Sequence, residues 1–419
     1  MRRLWPISPD AQPRASAQPA KPSLLVRLDR LNTLRAISII GVFLFHVFST
    51  VFDRSVSSVD RIVANSDVSL QGTEKLGLLL LSQVPRLVTI FFLISGYFVH
   101  RTFLLWIRRN HSYLAFTRFF IWRRFWRLVP PFWVALLLSY AFTYKNPLAW
   151  ASIRKLLVNA TLFKTLVPGY FFSVNYAHWY VAVQWQLDLL YPVFIYIIWR
   201  YSGRAALITA TVLALLTNFV LPHFSNQPYI YNLPFRWCME WALGAYLAVA
   251  HAKKKRVFTH PGWAAAVLSA GLIVSGIFNI GVAIWFLAQL SLVLFLECFL
   301  LSKSAPYRIE RWIAPIGLWS YSLYLFHVPI IGMCLRFLDQ NGFSHASVVK
   351  YLLLTSGAFV ISTAVACLSY LGIEEPSSRL GSRCWCVVQR LRNSRRAPLF
   401  LVRPNVRQAR QEASVKTPV

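Results

Sequence analysis

Long apolar runs broken by short polar or basic connections set the pattern of this chain. By length they fall at 33–52, 85–105, 128–144, 178–199, 205–221, 234–251, 262–279, 281–301, 313–335 and 350–372. A run of about 20 apolar residues is long enough to cross a bilayer as a helix, and a helix satisfies its own backbone where no water can. The pattern predicts an all-α integral membrane fold, a bundle of about ten transmembrane helices. The third run is short. The connection behind it, 145–177, is long and aromatic, with GYFFSVNYAHWY at its end, which suits a loop dipping back toward the membrane.

The basic residues between the runs give the orientation. They crowd the start of the chain (Arg27, Arg30, Arg35), residues 101–127, the KKKR at 253–256, residues 302–311 and the stretch after 378. The alternate connections, 53–84, 222–233 and 337–349, are poorer in them. Lys and Arg accumulate on the cytoplasmic side, so both termini are expected to be cytoplasmic. The connection 145–177 is the exception, with four basic residues on the outer side. No internal repeat is visible. The organisation expected is a disordered cytoplasmic tail at 1–26, a membrane domain at 27–380 and a basic cytoplasmic tail at 381–419.

Composition agrees with a membrane protein. The chain has 419 residues, 57% of them hydrophobic, and only 14 acids against 44 Lys and Arg, for a net charge of +30. Topology and contact with anionic membrane lipids account for that excess, so no nucleic-acid partner is expected. The six cysteines lie mostly in apolar segments, where Cys behaves as a small hydrophobe. Cys384 and Cys386 have the wrong spacing for a zinc half-site, and no metal site is expected. The N-terminal 26 residues, rich in Pro, Ala and Ser, lack the apolar core of a signal peptide.

The most informative pair is Arg35 and His46, in LNTLRAISIIGVFLFHVF. At about 100° per residue they return to within about 20° of one face, roughly 16 Å apart. A fixed cation then lies near one membrane surface, and a titratable imidazole lies deep in the bilayer on the same stripe. Ionisable groups inside a membrane are costly and mark function. The plainer alternative is a helix-end Arg obeying topology and a His hydrogen-bonded within the bundle.

In LDRLNTLRAISIIGVFLFH and five further blocks, the chain resembles the membrane-bound acyltransferase 3 family, of the sugar O-acetyltransferase type. The blocks are FFLISGYFV (91–99), RRFWRLVPPFW (123–133), HWYVAVQWQLDLLYP (178–192), WSYSLYLFHVPI (319–330) and IEEPSSRL (373–380). They fall in the family's order across residues 27–380, and no appended esterase-like domain is expected.

The resemblance implies a catalytic role for His46, as general base or transient acyl carrier. Physically, neutral imidazole can take a proton from a hydroxyl near neutral pH. It also implies that Arg35 and the pair Arg124 and Arg127, with Arg123 beside them, handle an acyl-CoA donor; guanidinium forks suit its phosphates. Ser95, Gly96 and Tyr97 stand where the family has Ser-Gly-Phe and are expected to line the pocket. Trp179 opens a block in which the family's Glu is replaced by Gln184, while Asp188 offers a carboxylate one turn later. Tyr324 and His327 share a helical face as further pocket or acceptor residues, with His327 steadying His46 or binding the acceptor. Glu240 is expected to pair with Arg236, Glu374 with an Arg of the 123–127 cluster, and Pro376 to end the last helix.

The activity implied is transfer of an acyl group, most often acetyl, from cytoplasmic acyl-CoA to a hydroxyl of an extracytoplasmic or lipid-linked saccharide. Acyl-CoA would be a co-substrate and no bound cofactor is expected. The setting implied is the bacterial plasma membrane, with glycan-biosynthesis proteins as possible partners. The alternative from another class is a transporter or flippase for an anionic lipid-linked sugar, using the intramembrane His, Asp and Glu to relay protons. The lack of repeats argues against it.

Overall fold

A computed structural model describes residues 22–51, 87–110, 112–224, 233–278, 280–301, 308–343 and 348–396. Most of the expected N-terminal tail, the acidic connection at 53–84 and the end of the basic tail lie outside the described residues. Every regular element among the described residues is helical. Among the described residues, eight helical stretches are long and apolar enough to cross a membrane: Arg30–Val51, Val88–Arg108, Tyr113–Thr143, Tyr176–Arg200, Gly203–Phe224, Gly281–Leu301, Ser320–Gln340 and Val349–Val388. The chain is a multi-pass membrane protein. The runs expected at 234–251 and 262–279 form shorter helices, Cys238–Ala252 and Pro261–Ile277.

In chain order, α1 is Pro22–Val51, α2 Val88–Asn110, α3 Tyr113–Thr143, α4 Trp150–Ala160, α5 Trp179–Arg200 and α6 Gly203–Leu215. Then come α7 Cys238–Ala252, α8 Pro261–Ile277, α9 Gly281–Leu301, α10 Arg308–Leu318, α11 Ser320–Gln340, α12 Val348–Ser369 and α13 Glu375–Arg396. Large apolar side chains such as Ile208, Val267, Leu352, Val360 and Leu368 point outward, as a lipid-facing surface requires. The interior is aromatic, with Phe43, Phe92, Phe116, Phe132 and Tyr191 fully buried.

Two features differ from the reading of the sequence. The basic segment 113–127, expected as a connection, is the first half of α3. Ser112 caps it by accepting from the Ala115 N–H at 3.2 Å. Its arginines alternate with Phe116 and Phe120, which are buried and give the helix an inner face. The last span does not end at Pro376. A π turn at Tyr370–Glu374 hands the Glu375 N–H to the Tyr370 carbonyl, so the helix has already changed register when the proline arrives. Pro376 sits in the first turn of α13, where a missing N–H costs little. Residues 381–396, assigned to the basic tail, therefore continue a helix.

Helix α7 crosses α2 at backbone contact. A Cβ on Gly96 would lie 1.9 Å from the Trp241 carbonyl oxygen, and one on Gly244 would lie 2.0 Å from that of Leu93. Small residues at a membrane crossing allow this approach. The crossing fixes the inner face of α2 that bears Ser95.

Candidate active site

Four arginines converge on one cavity of about 480 Å³, lined by Arg35 from α1 and by Arg123, Arg124 and Arg127 from α3. Aromatic and polar side chains complete the wall: Phe98 and Ser95 from α2, Phe119 and Phe120 from α3, Tyr180 and Gln184 from α5, and Tyr321 and Tyr324 from α11. Arg123 and Arg127 are exposed, which marks the open side, whereas Tyr324 is buried. The Arg35 guanidinium lies over the Phe98 ring, 5.0 Å from its centroid. It also feels repulsion from Arg127 and Arg124. Like charges gathered around a low-dielectric cavity make an anion the favoured occupant.

One of these cations, Arg124, is pinned. Tyr180, Gln184 and Asp188 recur every fourth residue along α5 and so share a face. Asp188, fully buried, forms an ion pair with Arg124 (Nε–Oδ2 3.2 Å). Gln184 donates through Nε2 to Asp188 Oδ1 at 3.2 Å and lies 2.9 Å from Ser95 Oγ, which also accepts from Arg124 Nη2 at 3.0 Å. Gln184 thus ties the acid and the hydroxyl that hold Arg124. Asp188 lies behind the cavity wall as an anchor for an arginine. Glu374, turned inward by the π turn, accepts from Ser322 Oγ at 2.8 Å and lies within electrostatic reach of Arg127 and Arg35. It makes no ion pair with the 123–127 cluster among the described residues, so that expected contact does not form.

One ring beyond the cavity stand two histidines. His46 and His327 have ring centroids 5.0 Å apart. Tyr324 joins the two regions: it lines the cavity, and its ring lies 5.2 Å from that of Tyr180 and 5.5 Å from that of His327. Its hydroxyl donates to the Ala177 carbonyl. His327 Nδ1 is 2.8 Å from the Tyr324 carbonyl oxygen of its own helix. A carbonyl only accepts, so Nδ1 carries the proton and Nε2 a lone pair. That Nε2 is buried without a hydrogen-bond partner among the described residues. His46 Nδ1 lies 3.1 Å from the Tyr176 hydroxyl.

A third histidine, His178, is placed by a proline. Pro329 in α11 has no N–H for the Leu325 carbonyl, and His178 Nε2 comes within 3.2 Å of that oxygen instead. Below it, the connection between α3 and α5 is pinned by Lys164. This buried side chain donates to the Asn175 carbonyl at 2.7 Å. Burial lowers the Lys164 amine to about 7.

The structure therefore brings Arg35, Arg123, Arg124, Arg127, Ser95 and Tyr324 to one cavity, with Asp188 behind it and His46 and His327 beyond. Three expected pocket residues lie elsewhere. Gly96 is spent on the crossing with α7. Tyr97, on the far side of α2, places its hydroxyl 3.2 Å from His251 Nδ1. Trp179 packs on Trp237, ring centroids 5.5 Å apart, and does not line the cavity. Glu240 is buried in α7 and is attracted by the Arg236 charge one turn earlier. Tyr176 was missed, because one tyrosine in an aromatic loop carries no local sign of what it will meet.

The described residues form a helical membrane bundle whose cation-lined cavity leads toward a pair of imidazoles. The family can be named. The sequence model described as an acyltransferase domain, acyltransferase 3, matches residues 28–371, and the chain belongs to that family. No curated protein and no solved structure matches it.

Proposed function

We propose that this membrane acyltransferase moves an acyl group, acetyl in the first instance, from cytoplasmic acyl-CoA to a hydroxyl of an extracytoplasmic or lipid-linked saccharide in a bacterial plasma membrane. The observation that carries this reading is the convergence of Arg35, Arg123, Arg124 and Arg127 on one cavity that ends one aromatic ring from the His46–His327 pair. Coenzyme A is polyanionic at one end and bears its thioester on a long arm at the other. Arginine forks match its phosphates, and a long arm suits the roughly 16 Å of helical rise between Arg35 and His46.

In the chemical step, the acceptor hydroxyl oxygen attacks the thioester carbonyl while His46 takes the hydroxyl proton. The carbon–sulfur bond then breaks, and the imidazolium returns the proton to the departing sulfur, giving ester and free thiol. His46 suits the proton transfer because a neutral imidazole offers a nitrogen lone pair that can take the hydroxyl proton. His327 Nε2, a buried acceptor without a partner, suits a hydrogen bond from the incoming hydroxyl.

The test is ester-linked acetate on the surface glycans of the native cell. Wild type, a deletion strain and the deletion carrying His46→Ala at matched membrane abundance are compared. Acetate lost in the deletion and not restored by His46→Ala is the expected result. Full restoration by His46→Ala overturns the mechanism, and unchanged acetate in all three strains overturns the substrate assignment.

A further inference from the structure

A neutral histidine is a base at only one nitrogen, and the hydrogen bond at the other decides which. Around His46 that decision is closed by a short ring of hydroxyls. Thr50 lies one turn further along α1, on the same face. Its Oγ1 donates to the His46 carbonyl at 2.6 Å, a habitual bond for a helical threonine. The single Thr50 proton is thereby committed, and only lone pairs remain at its oxygen. That oxygen stands beside the Tyr176 phenol, which in turn lies 3.1 Å from His46 Nδ1.

Two proton arrangements are open to the phenol. If it donated to His46 Nδ1, its lone pairs would face those of Thr50, and the His46 proton would sit on Nε2. If it donates to Thr50 Oγ1, it accepts from His46 Nδ1–H, and every contact pairs a donor with an acceptor. The second arrangement makes a closed circuit: imidazole N–H to phenol, phenol to threonine hydroxyl, hydroxyl to the His46 carbonyl. His46 Nε2 then carries the lone pair. It has no protein hydrogen-bond partner among the described residues, and His46 is not fully sealed from solvent.

We propose that Tyr176 and Thr50 are positioning residues that hold His46 in its Nδ1–H tautomer and leave Nε2 as the proton acceptor. The catalytic meaning of this assignment rests on the acyl-transfer reading above; the tautomer itself does not. A cross-helix phenol is a stronger constraint than packing, because it fixes both the ring rotation and the protonated atom.

The experiment uses full-length protein with 15N-labelled histidine in lipid nanodiscs. The nine histidines are resolved for His46 by difference against His46→Asn. The 15N shifts of the two ring nitrogens distinguish the tautomers. Wild type is expected to show protonated Nδ1. Thr50→Val, which keeps the shape and removes the hydroxyl, is expected to release the phenol proton to Nδ1 and move the histidine proton to Nε2. Thr50→Ser is expected to keep the wild-type shifts.

In membranes given radiolabelled acetyl-CoA and their own glycans, Thr50→Val and Tyr176→Phe are expected to lower kcat about 10- to 100-fold. KM for acetyl-CoA should stay unchanged, because the arginine cavity is untouched, and Thr50→Ser should recover most of the lost rate. Protonated Nε2 in wild type overturns the proposal. So does Thr50→Val with wild-type shifts and kcat, or Thr50→Ser as impaired as Thr50→Val. Acetate transfer surviving in His46→Ala removes the base reading instead, while wild-type shifts at Nδ1 still uphold the tautomer.

Discussion

Replacing Asp188 by Asn tests whether the arginine cavity is an anion site held open by a buried counter-charge. Asp188 is fully buried and its oxygen lies 3.2 Å from Arg124 Nε, with the Arg124 side chain 16% exposed. At an effective dielectric near 20, that pair attracts by about 5 kcal/mol before desolvation is counted. Removing one partner of a buried pair costs about 3 to 5 kcal/mol. Arg124 keeps its bond to Ser95 and some solvent, so the lower end, about 3 kcal/mol, is expected for the empty protein. The effect on an anionic ligand has the opposite sign. A phosphate on the far side of the guanidinium would sit about 6 Å from the carboxylate, where repulsion is about 3 kcal/mol at the same dielectric. Screening at the open mouth halves this to about 1.5 kcal/mol, roughly tenfold in Kd. Asp188→Asn should therefore unfold earlier when empty, yet bind coenzyme A about tenfold more tightly and gain more stability from it. Thermal unfolding in detergent with and without coenzyme A, together with calorimetric titration, reads both. An Asp188→Asn protein that is as stable as wild type when empty, or that binds coenzyme A more weakly, would refute this account. Wild type that does not bind coenzyme A would refute the assignment of the cavity itself.

Two further predictions concern the frame around the site. Gly96→Ala puts a methyl 1.9 Å from a backbone carbonyl that cannot rotate away, so it should destabilise the protein by about 3 kcal/mol; Gly262→Ala, where nothing lies within 4 Å, should have little effect, and equal thermal midpoints for the two would contradict the α2–α7 contact. The Lys164 amine is lowered from 10.5 to about 7 by burial, so above pH 7 the unfolded chain binds more protons than the folded one, and stability rises with pH. The slope is at most about 1.4 kcal/mol per pH unit, between about pH 7 and 10; Lys164→Met should flatten the wild-type rise between pH 7 and 9, and an unaltered slope would place the titration elsewhere.

What the sequence disclosed, and what it hid, follows from how far apart the interacting residues lie along the chain. Arg35 and His46 occupy one helix, so their common face follows from geometry alone. Arg124 and Arg127, or Tyr180, Gln184 and Asp188, are legible in the same way, as one or two turns of a single element. Contacts between helices leave no such trace. Nothing in α1 says that a tyrosine 130 residues later will meet His46, and in a chain with 18 tyrosines its residue type singles out none of them. The two helix boundaries that differ from the sequence pattern have separate physical origins. In 113–127 the arginines carry the signal of a connection, while the aromatic residues between them, Phe116 and Phe120 among them, form the buried face of a helix. Pro376 looked like a stop because a proline cannot extend a regular α-helix, yet a π turn ahead of it leaves no broken bond. That turn also rotates Glu374 into the interior, where it bonds Ser322 and feels Arg127 only at longer range. The same irregularity that hid the helix boundary therefore decides where a buried carboxylate goes, and spacing rules built on 3.6 residues per turn cannot be carried across it.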